Sequence, residues 1–165
     1  MGSRDKGSRG ELEVRDLLRA WWAPVEPGLS IERAPSSGGW HAAAAFRAAG
    51  DLVVPAGARF PWSVEVKRRE DWSLPSLLRG GQSPVWTWWA QATRDALRNR
   101  AWPLLWCRRS RSPWVVLADA RQAKLAGVAP EWTWIGDVVG WPGPVFLASS
   151  PRAWESTGDE RFCLD

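Results

Sequence analysis

GDLVVPAGARFPWSVEVKRR, residues 50–69, runs from Asp51 through an apolar stretch at Leu52, Val53 and Val54, then turns through Pro55, Gly57 and Pro61. It returns as a second apolar run that carries Glu65 and Lys67 among valines. Side chains alternate between faces along a strand, so Glu65 and Lys67 project to one side while Val64 and Val66 project to the other. Two such runs around a Gly/Pro segment read as a strand pair joined by residues 55–61. A symmetric hairpin centred on Ala58 sets Asp51 directly across from Glu65. Opposed Cβ atoms lie roughly 4.5–5.5 Å apart, and like charges there are destabilising.

Two carboxylates held that close call for a cation, a shared proton or solvent. A hard divalent ion answers the need most completely, because Mg²⁺ takes oxygen ligands, commonly one or two carboxylates with waters and phosphate oxygens. Lys67, on the same face, would orient a water or stabilise charge developing on a phosphate. The plain alternative is a structural ion cluster in which Lys67 pairs with a carboxylate.

Outward from this pair, Val14, Leu17, Leu18 and Trp21 recur at helical spacing and predict a helix over 11–22, ended by Pro24. At 100° per residue Glu11 falls about 70° from the centre of the apolar stripe, on its border, whereas Glu13 points to water. LSIERA, 29–34, reads as a strand, and SSGGWHAAAAFRAAG, 36–50, as a small-residue loop with a helical turn through its alanines. Residues 70–82 read as a loop. Ser83 and Pro84 supply an N-cap and a first-turn proline for a helix to about residue 99. WPLLWCRR and PWVVLAD are two further strands around the turn RSRS, followed by a short helix at 120–126 and a weak strand at PVFLA, 144–148. The order α-β-β-β-α-β-β is that of a mixed α/β domain with a central sheet. At 165 residues a single domain is expected over 10–165, after a flexible basic segment at 1–9.

GDLVV followed by VEVK resembles the core of the PD-(D/E)xK nucleases, with Gly50 where that motif usually has proline. KGSRGE, residues 6–11, is similar to the start of the archaeal-type Holliday junction resolvases, and ERAPSSGG, residues 32–39, to their Arg-x-x-x-Ser-Gly loop. The resemblance covers about residues 6–67. It implies a restriction-endonuclease-like fold, a mixed central sheet flanked by helices with an α-β-β-β-α-β core. It implies metal binding by Asp51 and Glu65, with Glu11 completing the shell directly or through water, and a catalytic Lys67. Ser37, or its neighbour Ser36, would lie near the scissile phosphate, and Gln91 would contact the site. The implied reaction is Mg²⁺-dependent hydrolysis of phosphodiesters in branched DNA, with Mn²⁺ as substitute ion. Resolving a four-way junction takes two symmetric cuts, which a C2 homodimer supplies. Two alternatives stand beside this reading. One is a related nuclease for flaps, single strands or duplex; the other is an inactive DNA-binding subunit of the same fold, which would have no need of opposed carboxylates.

The charge balance agrees with a polyanionic partner. The net charge is +4, and 19 of the 22 basic residues are arginine, whose planar fork suits phosphate. Arg4, Lys6, Arg9, Arg33, Arg68 and Arg69 are the candidate DNA contacts, with His41, the sole histidine, a further candidate in the loop. Codon bias toward arginine explains the same composition equally well. Cys107 and Cys163 are far apart with no CxxC or Cys/His cluster, which points away from zinc and toward a reducing compartment. Without an apolar run of membrane length or a signal-peptide pattern, the expected location is the cytoplasm of a prokaryotic or phage-infected cell. Fifteen tryptophans are more than a core of this size is expected to need, so several are assigned to a surface or an interface.

Overall fold

The computed structural model describes residues 3–34, 46–128, 132–133 and 138–152. The first helix, α1 (Ser3–Trp22), begins well before the predicted start at residue 11 and includes most of the expected N-terminal segment. Of the expected apolar positions Val14, Leu18 and Trp21 are buried and Leu17 is partly buried against the same core, and Trp22 is buried with them. The adjacent Trp21 and Trp22 both enter the core, Trp22 edge-on to Phe60 and Trp21 against Phe146.

The strands following α1 separate into two sheets. One is small and antiparallel: β1 (Glu32–Arg33), β3 (Leu52–Pro55) and β2 (Phe46–Ala49), in that spatial order. The other has five strands, β4 (Trp62–Arg68), β5 (Trp102–Arg108), β6 (Val115–Asp119), β8 (Val138–Pro142) and β7 (Trp132–Thr133), again in spatial order. The pair β4–β5 is parallel and the others are antiparallel. The expected hairpin between β3 and β4 therefore does not form. β3 has β1 and β2 as its neighbours, and it meets the larger sheet through a single parallel bridge between Gly50 and Val64.

Between β4 and β5 the chain makes the long crossover that a parallel pair requires. It contains α2 (Leu74–Leu78), where a loop was expected, and α3 (Pro84–Arg98). Ser73 caps α2 by accepting from Ser76 N. Ser83 caps α3 by accepting from Val85 N, with Pro84 at the first helical position as the sequence predicts. Past β6 lie α4 (Ala120–Leu125), capped by Asp119, and α5 (Gly143–Ala148). The segment read as a weak strand at 144–148 is thus helical, and the strands that complete the sheet lie just before it. Phe46–Ala49, read as part of a loop, is a strand.

Alternation along β4 and β5 divides the core. Val64, Val66, Leu104 and Trp106 pack with Val14, Leu18 and Trp22 of α1. Leu105 and Cys107 face the other way and pack with Leu77 of α2 and Val85 of α3. Glu65 and Lys67 fall on that second side, the side of α3. Tryptophan fills the main core more than the composition suggested: Trp22, Trp62, Trp106 and Trp141 are fully buried. Glu13, expected in water, accepts from both terminal nitrogens of Arg108, at 2.8 and 2.5 Å, and from Trp114 Nε1 at 3.0 Å. That fork–fork pair, with the Arg108 guanidinium 4.3 Å from the Trp114 ring centre, ties α1 to β5 and accounts for Arg108 structurally.

The bridge at Gly50 fixes how the two sheets meet. Gly50 has φ +74°, and a Cβ there would stand 2.2 Å from Val64 O. Gly50→Ala combines a left-handed conformation with a backbone clash. It is expected to destabilise the protein by about 3 kcal/mol or more, read as a lowered denaturant midpoint in urea.

Candidate active site

Asp51 follows Gly50 and docks on β4 through two hydrogen bonds. Its backbone N–H donates to Val64 O at 2.8 Å, and its Oδ2 accepts from Val66 N at 2.8 Å. The carboxylate of Asp51 therefore spans residue 65 along the edge of β4. The sequence reading brought Asp51 and Glu65 together by a hairpin register; the structure brings them together by a parallel edge contact. Asp51 lies beside the strand rather than across from it.

Glu65 is 6% exposed. Its Oε1 receives the ammonium of Lys67, two residues along the same face, and the amide Nε2 of Gln91 on α3 at 3.2 Å. Asp51, Glu65, Gln91, Asp95, Arg98 and Asn99 line one cavity of about 290 Å³ between the β4 edge and α3. Burial pushes the Asp51 carboxyl up to about 7, with the Glu65 charge adding to the rise and the Val66 N–H opposing it. Glu11 adds a smaller upward contribution and Lys67 a smaller downward one. The acids thus form one electrostatic unit with too little positive charge to satisfy it.

Glu11, the third acid expected at the metal, is held by Arg33, whose Nε donates to Glu11 Oε2. Arg33, expected on DNA, is thereby engaged inside the protein. Among the described residues no three His, Cys, Asp or Glu side chains are grouped closely enough to hold a metal ion. Glu11 reaches the acidic pair through its field, which leaves Asp51 and Glu65 as the candidate metal donors. That set suits a hard divalent ion: two carboxylates, one with its pKa raised by burial and then by the charge of the other, beside a cavity with room for water and a phosphate group.

Arg4 and Lys6 lie in the first turns of α1, and Arg9 is exposed on it. Arg68 is half-buried over α1, its Cβ near Gly10, while Arg69 is exposed and paired with Asp71 at 3.2 Å. Ser36, Ser37 and His41 lie outside the described residues. Three residues of the cavity wall, Asp95, Arg98 and Asn99, were missed in the sequence. The signal was present: Gln91, Asp95 and Arg98 recur at i, i+4 and i+7, beside the buried stripe of Val85, Ala92 and Ala96.

The raised carboxyl makes metal-free stability depend on pH. Between 3.8 and about 7 the unfolded chain has released a proton that folded Asp51 still holds. Stability therefore falls as pH rises through that window and levels off above it. Asp51→Asn keeps an oxygen for Val66 N–H and removes the charge. In a chelator, its melting temperature is expected to exceed that of the wild type at about pH 8, with the difference shrinking toward about pH 5, as followed by calorimetry.

Comparison with known proteins bears on this geometry. Residues 2–134 match the profile of a family described as "Phage putative PDDEXK endonuclease". Protein D14 of Escherichia phage T5 is 33% identical over 121 residues, covering 72% of this chain and 71% of its own. Among solved structures, the Holliday junction resolvase Hjc of Archaeoglobus fulgidus aligns over 88% of this chain and 95% of its own, with 17% identity and a TM-score of 0.36. No helix among the described residues is long and apolar enough to cross a membrane. With a family profile spanning most of its length and a phage relative identical at one aligned position in three, the chain belongs to the phage PDDEXK endonucleases, within the PD-(D/E)xK nuclease superfamily.

Proposed function

We propose that the protein is a Mg²⁺-dependent, structure-selective DNA endonuclease that resolves four-way junctions. The observation that carries the proposal is the meeting of Asp51, Glu65 and Lys67 at one strand edge, with Gln91 holding Glu65 from α3. Asp51 and Glu65 would hold the ion, which when bound acidifies a water and polarises a phosphodiester oxygen. Lys67, now on Glu65, has the reach and charge to orient the attacking water or to stabilise charge on the phosphate. Gln91 fixes the Glu65 rotamer and Glu11 deepens the negative potential. Ser37 or Ser36 is assigned, by resemblance alone, to the scissile phosphate. Arg4, Lys6, Arg9, Arg68 and Arg69 are assigned to the DNA backbone, where arginine and lysine fix register without reading sequence.

Two cuts across a four-way junction call for two such sites in fixed relation, so a symmetric homodimer acting in the cytoplasm of a prokaryotic or phage-infected cell completes the reading. Flap, single-stranded and duplex nucleases would use the same acids and lysine, so the substrate is decided by experiment.

Purified protein with Mg²⁺ is expected to cut a labelled four-way junction at paired symmetric positions, faster than flap, single-stranded or linear duplex DNA. A preference for linear duplex removes the junction assignment and keeps the nuclease. Asp51→Asn, Glu65→Gln and Lys67→Ala are each expected to slow cleavage by at least about a hundredfold while junction binding persists. Full activity in any of them misplaces the site. Light scattering at micromolar concentration is expected to give the mass of a dimer.

A further inference from the structure

The cavity that holds Asp51 and Glu65 has a second charged wall. Asp95 and Arg98 line it from α3. Arg98 is seven residues beyond Gln91, which sets the two within about 20° of one line along the helix and about 10 Å apart along its axis. Gln91 marks where that line meets the acids, since its amide reaches Glu65 at 3.2 Å. Helical side chains lean toward the N-terminus, and Arg98 follows the rule: its Nη1 meets Asp95 Oδ1, three residues back, at 3.2 Å. The guanidinium is thereby turned back toward Gln91 and the acids, not out past the end of α3. No other arginine is among the described residues that line this cavity. The Asp95 contact engages one nitrogen of the guanidinium, and the Arg98 side chain is 76% exposed. It can therefore take a second partner without leaving the first. An exposed ion pair of this kind adds little to stability, so the fold itself makes small demand on the arginine.

Charge indicates what the second partner is. Asp51, Glu65 and Asp95 bring three carboxylates to the site, against the two cations Lys67 and Arg98. Glu11 is matched by Arg33. With all three acids ionised and a divalent ion on the pair, one positive charge is left over, and one phosphodiester neutralises it. Without Arg98 the same site is already neutral and has no net attraction for phosphate. We propose that Arg98 is a substrate-contact residue, holding the phosphodiester in the Asp51–Glu65 cavity from the α3 side, with Asp95 orienting its fork. The proposal rests on the nuclease reading and adds to it a residue that the reading does not otherwise use. The planar guanidinium offers paired donors to phosphate oxygens. Lys67 approaches along β4 and Arg98 from α3, so the phosphate is held from two walls.

Such a contact is made to substrate and transition state alike, so its loss weakens binding and spares the chemical step. Single-turnover cleavage is followed in Mg²⁺ over a range of concentrations of the full-length protein. The substrate is a four-way junction, or the flap, single strand or duplex if the wild type cuts that faster. Arg98→Ala is expected to raise the half-saturating concentration roughly tenfold, with the plateau rate within about twofold of wild type. Arg98→Lys keeps the charge without the fork and is expected to fall between the two. Arg94→Ala, exposed on the same helix and outside the cavity lining, is expected to match wild type. An equal loss at Arg94 would reduce Arg98 to general attraction for DNA and overturn the assignment. Competitor DNAs with one uncharged methylphosphonate, moved position by position around the cut, locate the contact. Wild type is expected to lose most affinity when the cut phosphate is neutralised, and Arg98→Ala to lose much less there. Equal losses in the two proteins, or an unchanged half-saturating concentration in Arg98→Ala, overturn the contact and leave the nuclease reading intact. A wild type that cuts none of these DNAs overturns that reading and this proposal together.

Discussion

The candidate active site depends on how one residue attaches to a strand edge. Asp51 uses its own N–H and one carboxylate oxygen to bond Val64 and Val66, and in doing so joins the small sheet to the large one. The bonds matter because the residue between them is Glu65, the partner of Asp51 in the proposed site. Gly50 makes the approach close enough, since a side chain there would occupy the space of Val64 O. A tight backbone contact, rather than any preference of acids for one another, is what holds two carboxylates together. Their proximity is imposed by the fold, and burial together with the repulsion from Glu65 raises the carboxyl of Asp51.

The rest of the protein supplies the rigidity to sustain that arrangement. The side of β4 opposite Glu65 is buried under α1, and aromatic residues lock the layers: Trp62 with Trp102, Trp106 with Trp114 and Phe146. The indole N–H groups of Trp22, Trp62, Trp72 and Trp106 are buried and have no partner among the described residues. An unsatisfied donor of this kind costs roughly 1–3 kcal/mol, which the large apolar area of each ring offsets. The Glu13–Arg108–Trp114 network then pins α1 across the sheet. Cys107 is enclosed on the other side, where burial pushes its thiol well above the ordinary range and leaves it unreactive.

How much of this was legible depended on whether the determinant was local. The Ser83–Pro84 start of α3, the buried stripe of α1 and the alternation in WSVEVKR are short-range patterns, and the structure follows each of them. The proximity of Asp51 to Glu65 was expected from a hairpin that does not exist. Alternation reveals which face a side chain takes but not which strand lies beside it, and β3 found its partners in β1 and β2. Glu13 was misread for a related reason: its helical position faces away from the apolar stripe, and only the distant Arg108 gives it a role. At 144–148 a run of apolar residues served equally well as strand or helix, and Gly143 with Pro144 started a helix. The cavity wall on α3 was readable as a polar flank, but nothing local distinguished it from ordinary solvated surface.

The turn between β3 and β4 has a place in the molecule that bears on its evolution. It separates Asp51 from Glu65 in the chain, yet neither acid relies on it for position, because backbone bonds to β4 seat Asp51 from the other side. Its residues Ala56, Gly57 and Arg59 are exposed and, with Arg47 and Arg100, line a surface cavity of about 450 Å³. Length and composition can drift at those exposed positions without moving Asp51 or Glu65. The acids proposed for hydrolysis and the turn that separates them in sequence are thus separately mutable, so a lineage with this architecture can remodel the turn while the acids stay in place.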